Sequence, residues 1–335
     1  MSSLKLMFVG DISLGEHYFS FGHGPRSTAD RQDIFASVKP IFAAADYVCG
    51  NLEGPISDIG LNSKDPESVV FRGDPHAAGM LADAGFNLMH VANNHIIQHG
   101  EQAYRHTLAL LESNNIIPIG NVGDECILEK NGIKIAIIAG SDVPDNTFPE
   151  QQLYETLDVE KILKKVKEVK GTVDWILLSL HWGKEEKISP TQEQIDMANR
   201  FREAGVNFIV GHHPHIFFPV ERSEHYLCAW SLGNFIFDLP WDKRLCKSAI
   251  LEIDLNKYSF DASVHPVTIL PNGTPVKASV ANKITAGSFC LYENASGFRF
   301  FSLMKIIFFA SNFFRGKVSL KFIFIKRKVL KKFGF

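Results

Sequence analysis

Short apolar runs rich in Val, Ile, Leu and Phe recur along the first 255 residues, separated by longer segments of helical period. Eight runs read as strands, at 4–10, 46–50, 87–92, 133–140, 173–180, 206–211, 225–233 and 248–255. Helices are predicted at about 31–44, 76–84, 100–114, 157–169 and 190–204. The last of these opens with Ser189 as N-cap and Pro190 at its first position. Strands alternating with helices predict a sheet-centred α/β or α+β domain. No repeat or low-complexity linker interrupts the chain before residue 275, so one domain over 1–275 and a separate extension over 276–335 are expected.

The polar residues that end the apolar runs carry the chemistry. "MFVG" leads into Asp11, "YVCG" into Asn51-Leu52-Glu53, and "MHVA" into Asn93-Asn94-His95. "LLSL" leads into His181-Trp182-Gly183, and "FIVG" into His212-His213-Pro214-His215. In open α/β sheets ligands bind beyond the carboxyl ends of the strands, so these side chains are expected to meet in one crevice. An Asp after a first strand also serves in ordinary turns, and His181 alone reads equally as a core histidine. Three imidazoles around one proline are poor packing material, because a buried imidazole needs polar partners. A donor set of imidazole, carboxylate and amide oxygen without thiolate suits divalent ions of the Mn, Fe or Zn class. More than four candidate ligands imply two such ions, a pair that activates water and clamps a phosphoryl group for in-line displacement.

Composition narrows the class. With 335 residues, 45% of them hydrophobic and 21% charged, the chain has material for a folded core and is not a disordered polymer. Its 5 cysteines lack CxxC spacing, and Cys49 and Cys228 lie inside apolar runs, as reduced thiols do. The N-terminal apolar segment is too short for a signal peptide, and no stretch approaches the roughly 20 apolar residues of a bilayer span. These features predict a cytoplasmic protein.

Charge is unevenly spread. Residues 299–335 hold ten Lys and Arg, no Asp or Glu, and ten of the 27 Phe, leaving 25 basic against 37 acidic side chains in residues 1–298. Leu303, Ile306, Ile307, Ala310, Phe313 and Phe314 fall near one helical face. A basic, aromatic-rich amphipathic segment suits an anionic membrane surface, so peripheral contact with the inner face of the membrane through this tail is expected. The other readings of the tail are an element packed on the acidic body and a disordered end. Nucleic acid is not expected, because the basic cluster is confined to the tail.

Taken in order over residues 5–270, "FVGDISLG", "NLEGPIS", "FRGDP", "ADAGFNLMHVANNH", "SLHWGKE", "GHHPHIFFPVE" and "WSLGNFIFD" resemble the CapA family of capsule or poly-γ-glutamate biosynthesis proteins, a branch of the calcineurin-like metallophosphoesterases. The resemblance implies a four-layer αββα sandwich and a binuclear metal-dependent hydrolase, with a phosphorylated or polyanionic surface-polymer substrate. It makes Asp11, Glu53, Asn94, His181, His213 and His215 metal ligands, with His212 able to stand in for His213, and His95 the general acid. Arg72 resembles a substrate-contacting arginine, with Asn234 and His212 beside the substrate. Glu185 and Glu221 would orient imidazoles from behind. Two positions depart from the family pattern: the first motif D-x-H reads Asp11-Ile12-Ser13, and Gln98 stands where an Asp commonly follows the NNH block. Those departures keep open a different class of function, an accessory or binding subunit of a membrane polymer-synthesis complex.

Overall fold

Alternation of side chains along the strands sets the architecture. The computed structural model describes residues 3–123, 126–185, 187–291 and 301–332, and the account below concerns those residues. One sheet has the order β14 (Pro275–Lys277), β13 (Phe260–Ile269), β12 (Lys247–Leu255), β1 (Leu4–Ile12), β2 (Tyr47–Leu52), β3 (Leu88–His90) and β4 (Ile117–Ile119). Two further strands join it, β11 (Asn234–Ile236) beside β1 and β15 (Asn282–Lys283) beside β13. The second sheet runs β16 (Gly287–Phe289), β9 (Val220–Arg222), β10 (Leu227–Ala229), β8 (Phe208–His212), β7 (Trp175–His181), β6 (Ile133–Ser141) and β5 (Cys126–Lys130). The central strands of each sheet, β1 to β4 in one and β6, β7, β8 and β10 in the other, are parallel.

Both faces of these central strands are buried, which is why they read as continuous apolar runs. In β1, Leu4, Leu6 and Phe8 point between the sheets, while Met7 and Val9 point to the other side. In β7, Trp175 and Leu177 share the inter-sheet layer, and Ile176, Leu178 and Leu180 face away. The outer face of the first sheet is covered by α4 (Ala77–Ala84) and α5 (Glu101–Ser113) through Leu81, Tyr104 and Leu111. The outer face of the second is covered by α6 (Val159–Val169) and α7 (Gln192–Ala204) through Ile162, Val166 and Phe201. The layers are therefore helix, sheet, sheet, helix, the expected αββα sandwich.

Several sequence expectations need correcting. The helix predicted at 31–44 shrinks to α2 (Lys39–Phe42), preceded by α1 (Pro25–Ala29), with turns between them that bury Ile34, Phe35 and Val38. Those apolar residues mimic a helical stripe while packing a turn. α7 is capped by Thr191, whose hydroxyl accepts from Gln194 N while Gln194 returns the bond, so Ser189 and Pro190 lie outside the helix. α3 (Pro66–Val69) was not foreseen, nor were the short or exposed strands β4, β5, β9, β11 and β13 to β16, which lack a long apolar run. The sheets also continue past residue 275, to Phe289.

The tail forms two helices, α8 (Phe301–Asn312) and α9 (Val318–Lys332). Phe308 and Phe309 pack against the α6–α7 side of the body, and Leu320 is buried against Phe21 and Val69. Among the described residues no helix is long and apolar enough to cross a membrane.

Candidate metal centre

At the carboxyl ends of the strands the inter-sheet positions change from apolar to polar. Along β2 the sequence of inward positions is Cys49, Asn51 and then Glu53 just beyond the strand. Along β7 it is Leu177, Ser179 and His181, and along β8 it is Phe208, Val210 and His212. Strand register then sets these groups side by side: Asp11 is paired with Asn51, Asn51 with His90, and His181 with His212. All of these side chains are buried. Small residues permit the approach. A Cβ on Gly10 would collide with Gly233 O, the acceptor of Asp11 N at 2.9 Å, and a Cβ on Gly211 would collide with Trp230 O.

Two groups of ligating atoms form, each with its atoms within 4.8 Å of one another. One is Asp11, Glu53 and His215; the other is Glu53, His181 and His213. Glu53 belongs to both. Its carboxylate is fully buried, and neither oxygen has a hydrogen-bond partner. The same is true of His213 Nδ1. Buried polar atoms almost always find partners, so orphaned donors that converge on one point fit a cation. The chemistry fits as well, since carboxylates and imidazoles are the usual ligands of Mn, Fe and Zn. The protein can hold a metal here.

The turn after β8 aims the last imidazoles. His213 and His215 adopt φ of 93° and 61°, left-handed values that cost a non-glycine residue of order 1–3 kcal/mol each. Pro214 between them fixes its own φ and makes the turn rigid. His215 Nδ1 lies 3.3 Å from Asp11 Oδ2 and 2.9 Å from Asn234 Oδ1, and its Nε2 is 3.7 Å from Glu53 Oε1. Burial pushes His215 down, but Glu53 and Asp11 overcome it and raise its pKa to about 10. Burial pushes Asp11 up, yet hydrogen bonds from His212 and His215 hold it well below the carboxylate range. Burial raises Glu53 well above that range. Burial lowers His181 far below the ordinary imidazole value, and lowers His213 to about 4.

A web of amides fixes the first metal-capable residues. Asn51 Nδ2 donates to Asp11 Oδ1 at 2.8 Å and to His181 Nδ1 at 3.2 Å. Asn93 Nδ2 in turn donates to Asn51 Oδ1 at 3.0 Å and to Leu52 O at 2.8 Å. Asn94 Oδ1 accepts from His181 Nε2 at 2.9 Å. His95 stands beside this group, its Nδ1 donating to Gln98 Oε1 at 2.7 Å and its Nε2 facing Asn146 Nδ2 at 3.3 Å. Burial holds the His95 pKa below its ordinary value, against the raising effect of Gln98.

The remaining residues singled out in the sequence take varied positions. His212 sits in the centre, 3.5 Å from Asp11 Oδ1 and behind His213. Asn234 is spent on the protein at both ends, with Oδ1 on His215 and Nδ2 donating to Leu245 O at 3.0 Å, so it orients an imidazole. Arg72 is buried and donates to Ile59 O at 2.9 Å and Ser57 O at 3.5 Å, with neither group in the ligand set. Glu185 is exposed and close enough to act electrostatically on Glu53, His213 and His215. Glu221 accepts from Trp230 Nε1 at 3.0 Å.

Sequence reasoning passed over His90, Ser179 and Asn146. His90 Nδ1 pairs with Ser179 Oγ at 2.9 Å and Nε2 donates to Ala92 O at 2.7 Å, which supports the centre from below. Both lie at the inward positions of strands already identified, so parity would have found them. Asn146 lies on the loop after β6, whose backbone joins the NNH segment through Asn146 N and Asn94 O at 3.0 Å; no local signal marked it.

The chain is similar to several known proteins. Residues 5–239 match the model of the family described as bacterial capsule synthesis protein PGA_cap. The chain is 30% identical over 264 residues to the PGA biosynthesis protein CapA of Bacillus subtilis (strain 168), covering 76% of this chain and 68% of that one. It is 27% identical over 267 residues to the capsule biosynthesis protein CapA of Bacillus anthracis, covering 75% of this chain and 64% of that one. Among solved structures, a putative 5'-nucleotidase from Staphylococcus aureus is similar with a TM-score of 0.49 at 12% identity, over 92% of this chain and 58% of that one.

Proposed function

This chain belongs to the bacterial capsule synthesis family PGA_cap, and from that membership we propose that it is a metal-dependent, phosphoesterase-like hydrolase in the biosynthesis of capsule or poly-γ-glutamate. The observation that carries the reading is Glu53, buried, without a hydrogen-bond partner, and shared by two groups of ligating atoms. Asp11, Glu53 and His215 would hold one divalent ion, and Glu53, His181 and His213 a second, with Asn94 completing the set. Bound there, the ions would act as Lewis acids, polarising a phosphoryl group and acidifying water. A phosphorylated or polyanionic surface polymer is the substrate class such a site accepts.

In this reading His95 moves the proton. In its neutral form it carries the proton on Nδ1, held by Gln98, and presents Nε2 toward Asn146. To protonate a leaving group it must gain a second proton at Nε2, and burial opposes that in the free enzyme. A neutral Gln98 supports the imidazolium less than a carboxylate would. Activity should therefore rise as pH falls from neutrality toward the lowered His95 pKa, until the ligands themselves protonate.

Ser13 favours a second reading. It stands where the family's first motif carries a histidine, and its buried Oγ has no partner, so one donor of the usual set is missing. A metal-holding but non-catalytic accessory subunit would have this composition. Turnover of an aryl phosphate by metal-loaded protein separates the two. The hydrolase reading expects activity that chelation abolishes and that His95→Asn lowers by 10²–10⁴-fold with the metal retained. Metal-loaded protein without turnover would establish the accessory reading instead.

A further inference from the structure

We propose that the outer face of the α8–α9 hairpin is a docking surface for an anionic lipid membrane, a role independent of the metal centre. α8 carries apolar side chains on its outward face as well as its inward one. Its inward positions are Lys305, Phe308, Phe309 and Asn312; Lys305 Nζ lies 4.9 Å from the Trp241 ring centre and Asn312 is buried. Its outward positions are Leu303, Ile306, Ile307, Ala310 and Phe314 at the helix end, with Ile306 64% and Phe314 80% exposed. These recur at three- and four-residue steps, so they form one stripe.

The stripe continues onto α9. Phe313 touches Phe314 with ring centres 5.2 Å apart and Phe322 of α9 at 4.8 Å. Phe322, Lys326, Val329 and Leu330 share one exposed face of α9. The hairpin is held by firm contacts on its other side. Tyr18 stacks on Phe324 at 4.2 Å, Arg327 pairs with Asp65 at 2.5 Å, and buried Lys321 donates to Asn312 O and Arg315 O, each at 2.8 Å. The apolar face is thus presented by a docked element.

Charge selects the occupant. The tail carries ten basic and no acidic residues, whereas residues 1–298 carry 25 basic and 37 acidic, a net of −12. A second copy seated on this face would oppose two basic tails, an unfavourable juxtaposition. An anionic lipid surface meets both demands, burying the apolar stripe in the headgroup–acyl boundary and attracting the lysines. It would also repel the acidic body, so the body stands away from the bilayer.

Flotation of the full chain with phosphatidylcholine vesicles, with and without phosphatidylglycerol, tests this. The full chain should float with phosphatidylglycerol vesicles at least about tenfold more than with phosphatidylcholine alone, and added salt should reduce the difference. Ile306→Ser/Ile307→Ser/Phe314→Ser should lose binding at least about tenfold, and Lys326→Gln/Lys331→Gln should lose the lipid preference. If the triple variant melts early, Phe314→Ser alone replaces it. Equal recovery with both vesicle types, or no flotation, overturns the proposal. So does light scattering that finds a dimer of the full chain which the triple variant turns into a monomer, because a second copy then covers the face.

Discussion

The metal centre and the C-terminal hairpin depart from ordinary burial in opposite directions. At the centre, both carboxylate oxygens of Glu53 and Nδ1 of His213 are buried without a hydrogen-bond partner. At the hairpin, Ile306, Ile307 and Phe314 are exposed among the described residues. Each arrangement costs free energy in the isolated chain, through lost hydration in one case and apolar surface left in water in the other. Proteins keep such costs where a ligand or partner offsets them, so the two regions point to two different things that bind. The difference between them is chemical: the centre gathers buried carboxylates and imidazoles, and the hairpin gathers basic side chains and exposed apolar surface.

The comparison can be broken by substitutions on either side. Gly10→Ala should be the most damaging, since its Cβ collides with Gly233 O and displaces Asp11; a loss of about 1–3 kcal/mol or more in denaturant melts is expected. Phe309→Ala removes a half-buried ring that meets Phe19 at 5.6 Å and Phe313 at 5.7 Å, and should cost roughly 2 kcal/mol. Glu53→Gln removes a buried carboxyl with no hydrogen bond, so metal-stripped protein should gain on the order of 1 kcal/mol while protein in excess Mn²⁺ loses stability. A fall in both states would mean that Glu53 serves the fold. Ile307→Ser, on the outward stripe, should leave the unfolding free energy within about 0.5 kcal/mol of the parent. A cost like that of Phe309→Ala would show the stripe to be covered.

A separate effect concerns acidity beneath the hairpin. His23 faces Lys321 Nζ at 3.3 Å, and burial with the neighbouring charges of Lys321 and Arg315 lowers its pKa to about 4. Its contribution is complete above the unfolded value of about 6.5 and is lost as pH falls toward 4, because only the unfolded state takes up the proton. Protection of α9 amides from hydrogen exchange should weaken over that window, and His23→Gln should flatten the trend. An unchanged trend would remove His23 as its source.

Much of the centre was legible because parallel strands declare their ends. "FVG", "YVCG" and "FIVG" are buried on both faces, so the first polar residue after each run marks where the inter-sheet layer opens. The triple histidine was legible because imidazoles flanked by proline make poor core. What escaped was set by register and loop packing. The pairing of Asn51 with Asp11 and His90 follows from strands distant in sequence, and Asn146 reaches His95 from a loop with no pattern of its own. A guanidinium reads the same in sequence whatever it meets, so the bonds of Arg72 to the carbonyls of Ser57 and Ile59 were not legible there. In the tail, the amphipathic period was visible, but which face turns inward was decided by Phe19, Trp241 and Tyr18 of the body.

The proposal that Glu53 would serve two cation sites is tested most directly by counting ions. Equilibrium dialysis against Mn²⁺ or Zn²⁺ followed by elemental analysis should give about two ions per chain for the parent, and one weakly held ion or none for Glu53→Ala. Ion content that is zero in the parent, or unchanged by Glu53→Ala, would contradict the account.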